Sequence, residues 1–140
     1  RLVLDAAHNP DGANALVRSL KTTPDAVVFG AMADKEVGAM VESLRSWEGA
    51  RWYGARIGNE RSLDEDALAQ VLGPEAMIGS TKAVLHAALN GRFKAPSPLV
   101  VCGSIYLRLT LSSTRTWRVE IPRRSEATRA ESIEHRRCWR

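Results

Sequence analysis

Short apolar runs alternate along this chain with longer stretches whose apolar residues recur every three or four positions. Leu2-Val3-Leu4, Ala26-Val27-Val28-Phe29 and Leu99-Val100-Val101-Cys102 are uninterrupted apolar runs bounded by turn residues, the pattern of strands buried on both faces. Ala50–Gly54 and the weaker Ala76–Ile78 are two further candidate strands. Between them lie helical patterns. Pro10–Lys21 places Ala13, Leu16, Val17 and Leu20 on one face, and a second helix from about Asp34 to Ser46 does the same with Val37, Met40, Val41 and Leu44. A third, Asp64–Leu72, turns Ala67, Leu68 and Val71 inward, and a fourth ends at Asn90 with Ala83, Val84 and Ala87 or Ala88 as its core face. Asp34 is placed to cap the second helix, Ser62 or Asp64 the third, and Ser80 or Thr81 the fourth. Strand and helix in alternation with short connections predict an α/β fold: a Rossmann-like, mostly parallel sheet with helices on both faces. The strand order is not legible from this pattern.

Such a sheet gathers the turns after its strands along one edge, where ligands bind in open α/β folds. The turn after the first run is Asp5-Ala6-Ala7-His8-Asn9-Pro10-Asp11-Gly12. Pro10 fits the first helical turn, where its missing N–H costs nothing. Asp11 adds negative charge where the helix dipole favours it. An Asp, a His and an Asn at a strand end form a candidate site. The plain alternative is that Asp5 caps the helix and His8 is an ordinary surface loop residue.

Composition sharpens this picture little until the charge is divided. The chain has 140 residues, is 44% hydrophobic, and carries a net charge of +4. That describes one domain with a real core, and no apolar run approaches the roughly 20 residues of a membrane span. Residues 108–140 hold nine Arg and four Glu, so residues 1–107 are close to neutral. Cys102 lies in an apolar run and Cys138 in the polar end, with no Cys/His spacing for a metal site. A reducing, cytoplasmic setting is the default for such cysteine usage. The chain opens at Arg1 inside a predicted strand, as a domain cut from a longer protein or an incomplete record would.

Asp5-Ala6-Ala7-His8-Asn9-Pro10 resembles the D-x-A-H-N-P motif of the folylpolyglutamate synthase and dihydrofolate synthase family, within the Mur ligase superfamily. Three further stretches match in order: Phe29-Gly30-Ala31-Met32-Ala33-Asp34-Lys35-Glu36, the polar loop Asn59-Glu60-Arg61-Ser62-Leu63, and Gly103-Ser104-Ile105-Tyr106-Leu107. Together they cover residues 1–107, and the second and fourth favour the folate branch over the peptidoglycan ligases. The resemblance implies the C-terminal domain of an ATP-dependent ligase. Such a ligase passes a γ-phosphate to a pteroate or folate carboxylate, and the amine of L-glutamate then attacks the acyl phosphate. It implies Asp5 and Asn9 on the ATP side, and His8, Lys35 and Ser104 on the side of the substrates, with His8 and Ser104 the catalytic pair. ATP and Mg²⁺ are implied as cofactors, and L-glutamate with dihydropteroate or a reduced folate as substrates. A central ATPase domain is the implied partner. Each residue keeps a plainer role: Asp34 a helix cap, Lys35 a solvated first-turn residue, Arg61 a surface contact, Ser104 a cap, His86 packing or surface.

Two features depart from the family. No G-x-x-x-x-G-K-[ST] phosphate loop occurs, so the ATPase centre is expected outside this chain and the chain alone is expected to be inactive. Residues 108–140 shift to an Arg-rich composition without Lys, which reads as a poorly ordered or frameshifted end. Its Arg residues with Trp117 and Trp139 also raise a rival, a nucleic-acid-binding module, and a plain nucleotide-binding α/β module is a third reading.

Overall fold

The computed structural model describes residues 1–91 and 96–107, together with the backbone of 119–120. Strands β1 (Leu2–Leu4), β2 (Ala26–Phe29), β3 (Arg51–Arg56), β4 (Met77–Ser80), β5 (Leu99–Cys102) and β6 (Val119–Glu120) form one sheet in the order β4-β3-β2-β5-β1-β6. Every pairing in it is parallel. Helices α1 (Pro10–Ser19), α2 (Val37–Leu44), α3 (Glu65–Leu72) and α4 (Thr81–Asn90) connect the strands.

Alternation along the strands divides the core in two. Val3, Val27, Phe29, Val100 and Cys102 face α1, α2 and α3, meeting Leu16, Met40, Leu44 and Leu68. Leu2, Leu4, Ala26, Val28, Leu99 and Val101 face α4, meeting Val84, Leu85 and Ala88, with Leu107 beside them. Helices on both faces are what the continuous apolar runs require, since neither face of the three central strands reaches water. β4 lies next to β3 at the sheet edge and is poor in buried side chains; Met77 is 45% exposed. On the other edge, β6 pairs with β1 through Leu2↔Val119 and Val3↔Glu120. These two residues belong to the stretch set apart as a tail. The remainder of 108–140, with Trp117, Cys138 and Trp139, lies outside the described residues.

Several boundaries differ from the sequence reading for identifiable reasons. β3 runs on to Arg56 because Ala55 and Arg56 pair with Gly79 and Ser80 of β4. α2 starts at Val37 rather than Asp34; its cap position is Glu36, whose side chain makes no capping bond. Asp34 is therefore not the cap, and its carboxylate is taken up elsewhere. Asp64 caps α3 by accepting the Ala67 N–H at 2.8 Å, and Ser80 caps α4 by accepting the Ala83 N–H at 3.3 Å. Ser62 instead accepts the Ile57 N–H, and Thr81 donates to the Arg56 carbonyl. Ala83 is exposed, whereas Leu85 is buried. α4 follows β4 without a connecting loop, and its inward face is Thr81, Val84, Leu85 and Ala88, at the i, i+3, i+4, i+7 spacing of one helical stripe.

Candidate functional site

The order β2-β5-β1 sets the turns after Phe29, Cys102 and Leu4 side by side at the carboxyl end of the sheet. The ladder continues one residue past the strands: Asp5 N–H donates to the Val101 carbonyl at 3.0 Å and Gly30 N–H to the Cys102 carbonyl at 3.3 Å. Gly103 holds this junction together. Its φ is +104°, and a Cβ there would stand 2.5 Å from the Gly30 carbonyl oxygen and 2.9 Å from the Phe29 ring. Only glycine combines that backbone with that approach.

Asp5 is buried, at 4% exposure, and its Oδ1 accepts the Ala7 N–H at 2.7 Å. This two-residue turn sends the chain outward, so that Ala7 is buried and His8 is exposed. His8 Nδ1 lies 3.0 Å from the Ala6 carbonyl oxygen. The Nδ1–H tautomer donates to it, which fixes the ring and turns Nε2 into the basic nitrogen. Asn9, not Asp5, caps α1: its Oδ1 accepts the Gly12 N–H at 2.7 Å, with Pro10 at the first helical position and Asp11 in the first turn. A ligand contact from Asn9 would thus come from its amide nitrogen.

Ser104 leads from β5 into a helical turn over 105–107 and is 3% exposed. Its Oγ accepts the Tyr106 N–H at 3.2 Å, so its own O–H is the group it has to donate. Cys102, the last residue of β5, is fully buried. Burial pushes its thiol well above the ordinary range, and the Asp5 carboxylate adds to that. A thiol so placed stays protonated and inert, and serves as packing.

Lys35 stands on the turn after β2. That turn is clasped by the polar loop after β3. Ala33 N–H donates to the Arg61 carbonyl at 2.7 Å and Leu63 N–H to the Ala31 carbonyl at 3.0 Å, flanking an antiparallel bridge between Met32 and Ser62. Asp34 Oδ2 lies 2.9 Å from Arg61 Nη2 and 3.5 Å from Lys35 Nζ. Desolvation raises the Asp34 carboxyl, but the Lys35 and Arg61 charges and two hydrogen bonds together outweigh it and hold it below its ordinary value. Asp34 and Arg61 are 27 positions apart. Sequence reading placed Arg61 on the surface and missed this pairing. Its one available signal was that opposite charges follow two consecutive strands.

The fold thus brings Asp5, His8 and Asn9 (after β1), Lys35 (after β2) and Ser104 (after β5) to one edge. His86 is not among them; it lies exposed on α4 against Asn90. A separate groove lies at the opposite end of the sheet, where β3 and β4 begin, lined by Arg45, Trp52, Pro74 and Met77 among others. Arg45 has a structural task there. Its guanidinium donates to the Val71 and Leu72 carbonyls at 3.0 and 3.1 Å, closing the end of α3, and lies 5.9 Å from the Trp52 ring centre. No helix among the described residues is long and apolar enough to cross a membrane.

Residues 1–105 match the family model "Mur ligase, glutamate ligase domain". The chain is 34% identical over 116 residues to a folylpolyglutamate synthase of Lacticaseibacillus casei, covering 81% of this chain and 26% of that protein. It is 29% identical over 110 residues to a dihydrofolate synthase/folylpolyglutamate synthase of Escherichia coli (strain K12), covering 76% and 26%. Among solved structures, a bifunctional folylpolyglutamate synthase/dihydrofolate synthase from Yersinia pestis, complexed with AMPPNP and a Mn ion, superposes with a TM-score of 0.68. Its identity is 26%, over 80% of this chain and 28% of that one. The chain spans about a quarter of the length of the curated relatives it matches.

Proposed function

Because this chain belongs to the glutamate ligase domain family of the Mur ligases, we propose that it is the C-terminal domain of an ATP-dependent ligase that joins L-glutamate to dihydropteroate or a reduced folate. The observation that carries this reading is the convergence of the Asp5–Pro10, Phe29–Glu36 and Gly103–Leu107 segments on one edge through the neighbouring strands β1, β2 and β5. Both named curated relatives are folate enzymes, which favours that branch over the peptidoglycan ligases.

When bound, ATP would supply the γ-phosphoryl group that turns the pterin-linked carboxylate into an acyl phosphate. This chain's residues then have work of positioning and charge placement, which is most of what phosphoryl transfer asks of a protein. Asp5 and Asn9 lie on the nucleotide side, at the start of α1, where the helix terminus favours an anion. Asp5 contributes chiefly by holding the turn that presents His8 and Asn9, since its carboxylate is nearly enclosed. Exposed His8, anchored through Nδ1, directs Nε2 to the attacking amine and takes up its proton. Ser104 is as enclosed as Asp5 and acts first by holding the turn into 105–107, with its O–H left to donate to a carboxylate of the incoming glutamate once that turn yields. Lys35 pairs with substrate or phosphate charge. Among the described residues no three His, Cys, Asp or Glu side chains gather, and in this reading Mg²⁺ is held mainly by the ATPase domain. No part of this chain's proposed role runs through the metal.

The phosphate loop is absent from the 140 residues, so the catalytic centre in this reading is completed by an ATPase domain and the chain alone is inactive. Incubating the chain with ATP, L-glutamate and dihydropteroate should release no phosphate and give no product; robust turnover would overturn the division of labour. In the full-length ligase carrying this domain, His8→Ala should lower kcat about 100-fold or more. Unchanged kinetics would remove His8 from the reaction.

A further inference from the structure

We propose that Arg61 is a positioning residue for Lys35: it occupies the Asp34 carboxylate and so keeps the Lys35 ammonium available to an anion at the strand-end edge. Both cations approach the same oxygen, Asp34 Oδ2. Arg61 Nη2 makes a hydrogen-bonded ion pair at 2.9 Å, whereas Lys35 Nζ stays at 3.5 Å. The backbone fixes this unequal sharing. Arg61 is pinned across from Met32–Asp34 by the Ala33 N–H on its carbonyl, and its own N–H donates to Asn59 Oδ1 at 2.9 Å. Lys35 is pinned by its N–H on the Met32 carbonyl at 3.2 Å and by its carbonyl under the Val37 N–H at 2.8 Å. The freedom left to Lys35 is in its side chain.

Charge counting gives the consequence. Asp34, Lys35 and Arg61 together carry +1, and the surplus cation is Lys35. Without Arg61 the trio is neutral, Lys35 becomes the counter-ion of the neighbouring carboxylate, and an incoming anion must compete with Asp34 for it. The polar loop after β3 then has a reason to reach across to the β2 turn: it delivers a counter-charge that the β2 turn lacks. The value of this for a substrate rests on the ligase reading of Lys35, but the availability of Lys35 can be measured without it.

Competitive acetylation of the 140-residue chain with trace acetic anhydride, read by peptide mass spectrometry, reports the reactivity of Lys35 against the exposed references Lys21 and Lys82. Arg61→Ala should lower the relative Lys35 rate about two- to fivefold, the range an exposed ion pair commands. Arg61→Lys should keep it near wild type, because the backbone clasp still presents a cation to Asp34. Arg61→Ala with Asp34→Asn should restore it, because no carboxylate is left to capture Lys35. An unchanged rate in Arg61→Ala overturns the proposal, as does a drop that Asp34→Asn does not relieve, which would make Arg61 a loop fastener. In the full-length ligase, Arg61→Ala should raise the KM for ATP or L-glutamate by the same factor with kcat nearly unchanged, and should add nothing in a Lys35→Ala background. If labelling responds as stated but Lys35→Ala leaves the ligase unaffected, the functional reading of Lys35 fails and the Arg61 inference stands.

Discussion

Replacing Gly103 by alanine should damage the site edge more than its one added methyl suggests. Two costs add. The φ of +104° is disfavoured for an L side chain, at about 1–2 kcal/mol. The new Cβ would also meet the Gly30 carbonyl oxygen at 2.5 Å and the Phe29 ring at 2.9 and 3.0 Å. Neither can retreat. Phe29 is fully buried, and the Gly30 backbone is held by its N–H on the Cys102 carbonyl. Overpacking of this kind costs about 1–3 kcal/mol, so the total is about 2–5 kcal/mol against typical domain stabilities of about 5–15 kcal/mol. With a urea m-value of about 2 kcal/mol/M, the unfolding midpoint should fall by about 1–2.5 M. Gly38→Ala is the matched control. Gly38 lies in α2 with nothing within 4 Å of a built Cβ, so alanine there should stabilise by about 0.5–1 kcal/mol. Urea unfolding followed by circular dichroism gives both values. If Gly103→Ala shifts the midpoint by less than half a molar, or if Gly38→Ala is equally damaging, the close approach at the β2–β5 junction is not what holds it.

Two further outcomes follow from the same geometry. Asn9→Ala should cost about 0.5–2 kcal/mol of stability through loss of the α1 cap, while Asn9→Ser keeps an acceptor for the Gly12 N–H and should nearly restore it; equal loss in both would place the role of Asn9 outside capping. Asp34 should titrate, by NMR of its carboxyl carbon, below the ordinary aspartate range, and move back up in Arg61→Ala. Its folded pKa is depressed, so its contribution to stability is present above the unfolded value and fades as pH falls through the folded one; an unshifted midpoint would contradict the shared ion pair.

Much of this fold is written in local pattern. The runs Leu2–Leu4, Ala26–Phe29 and Leu99–Cys102 are strands because their uninterrupted apolar character suits a sheet covered on both faces. Helix α1 begins where Asn9 and Pro10 announce it, since capping is decided within four residues. That Asp5, Lys35 and Ser104 follow strands is legible for the same reason. What the sequence by itself does not determine is adjacency. Nothing local tells that β5 inserts between β1 and β2, yet that order is what puts Ser104 between His8 and Lys35 in the row of turns. Hydrophobic periodicity reports which side of an element is buried, not which distant element buries it. Asp34 shows the difference most sharply. Its sequence neighbourhood reads as a helix cap, but in the folded chain the partner is Arg61, 27 residues on, delivered by the pairing of β2 with β3. Sequence determined the elements and the chemistry at their ends; long-range strand pairing decided which ends meet, because only there do residues far apart compete for the same hydrogen bonds and the same space.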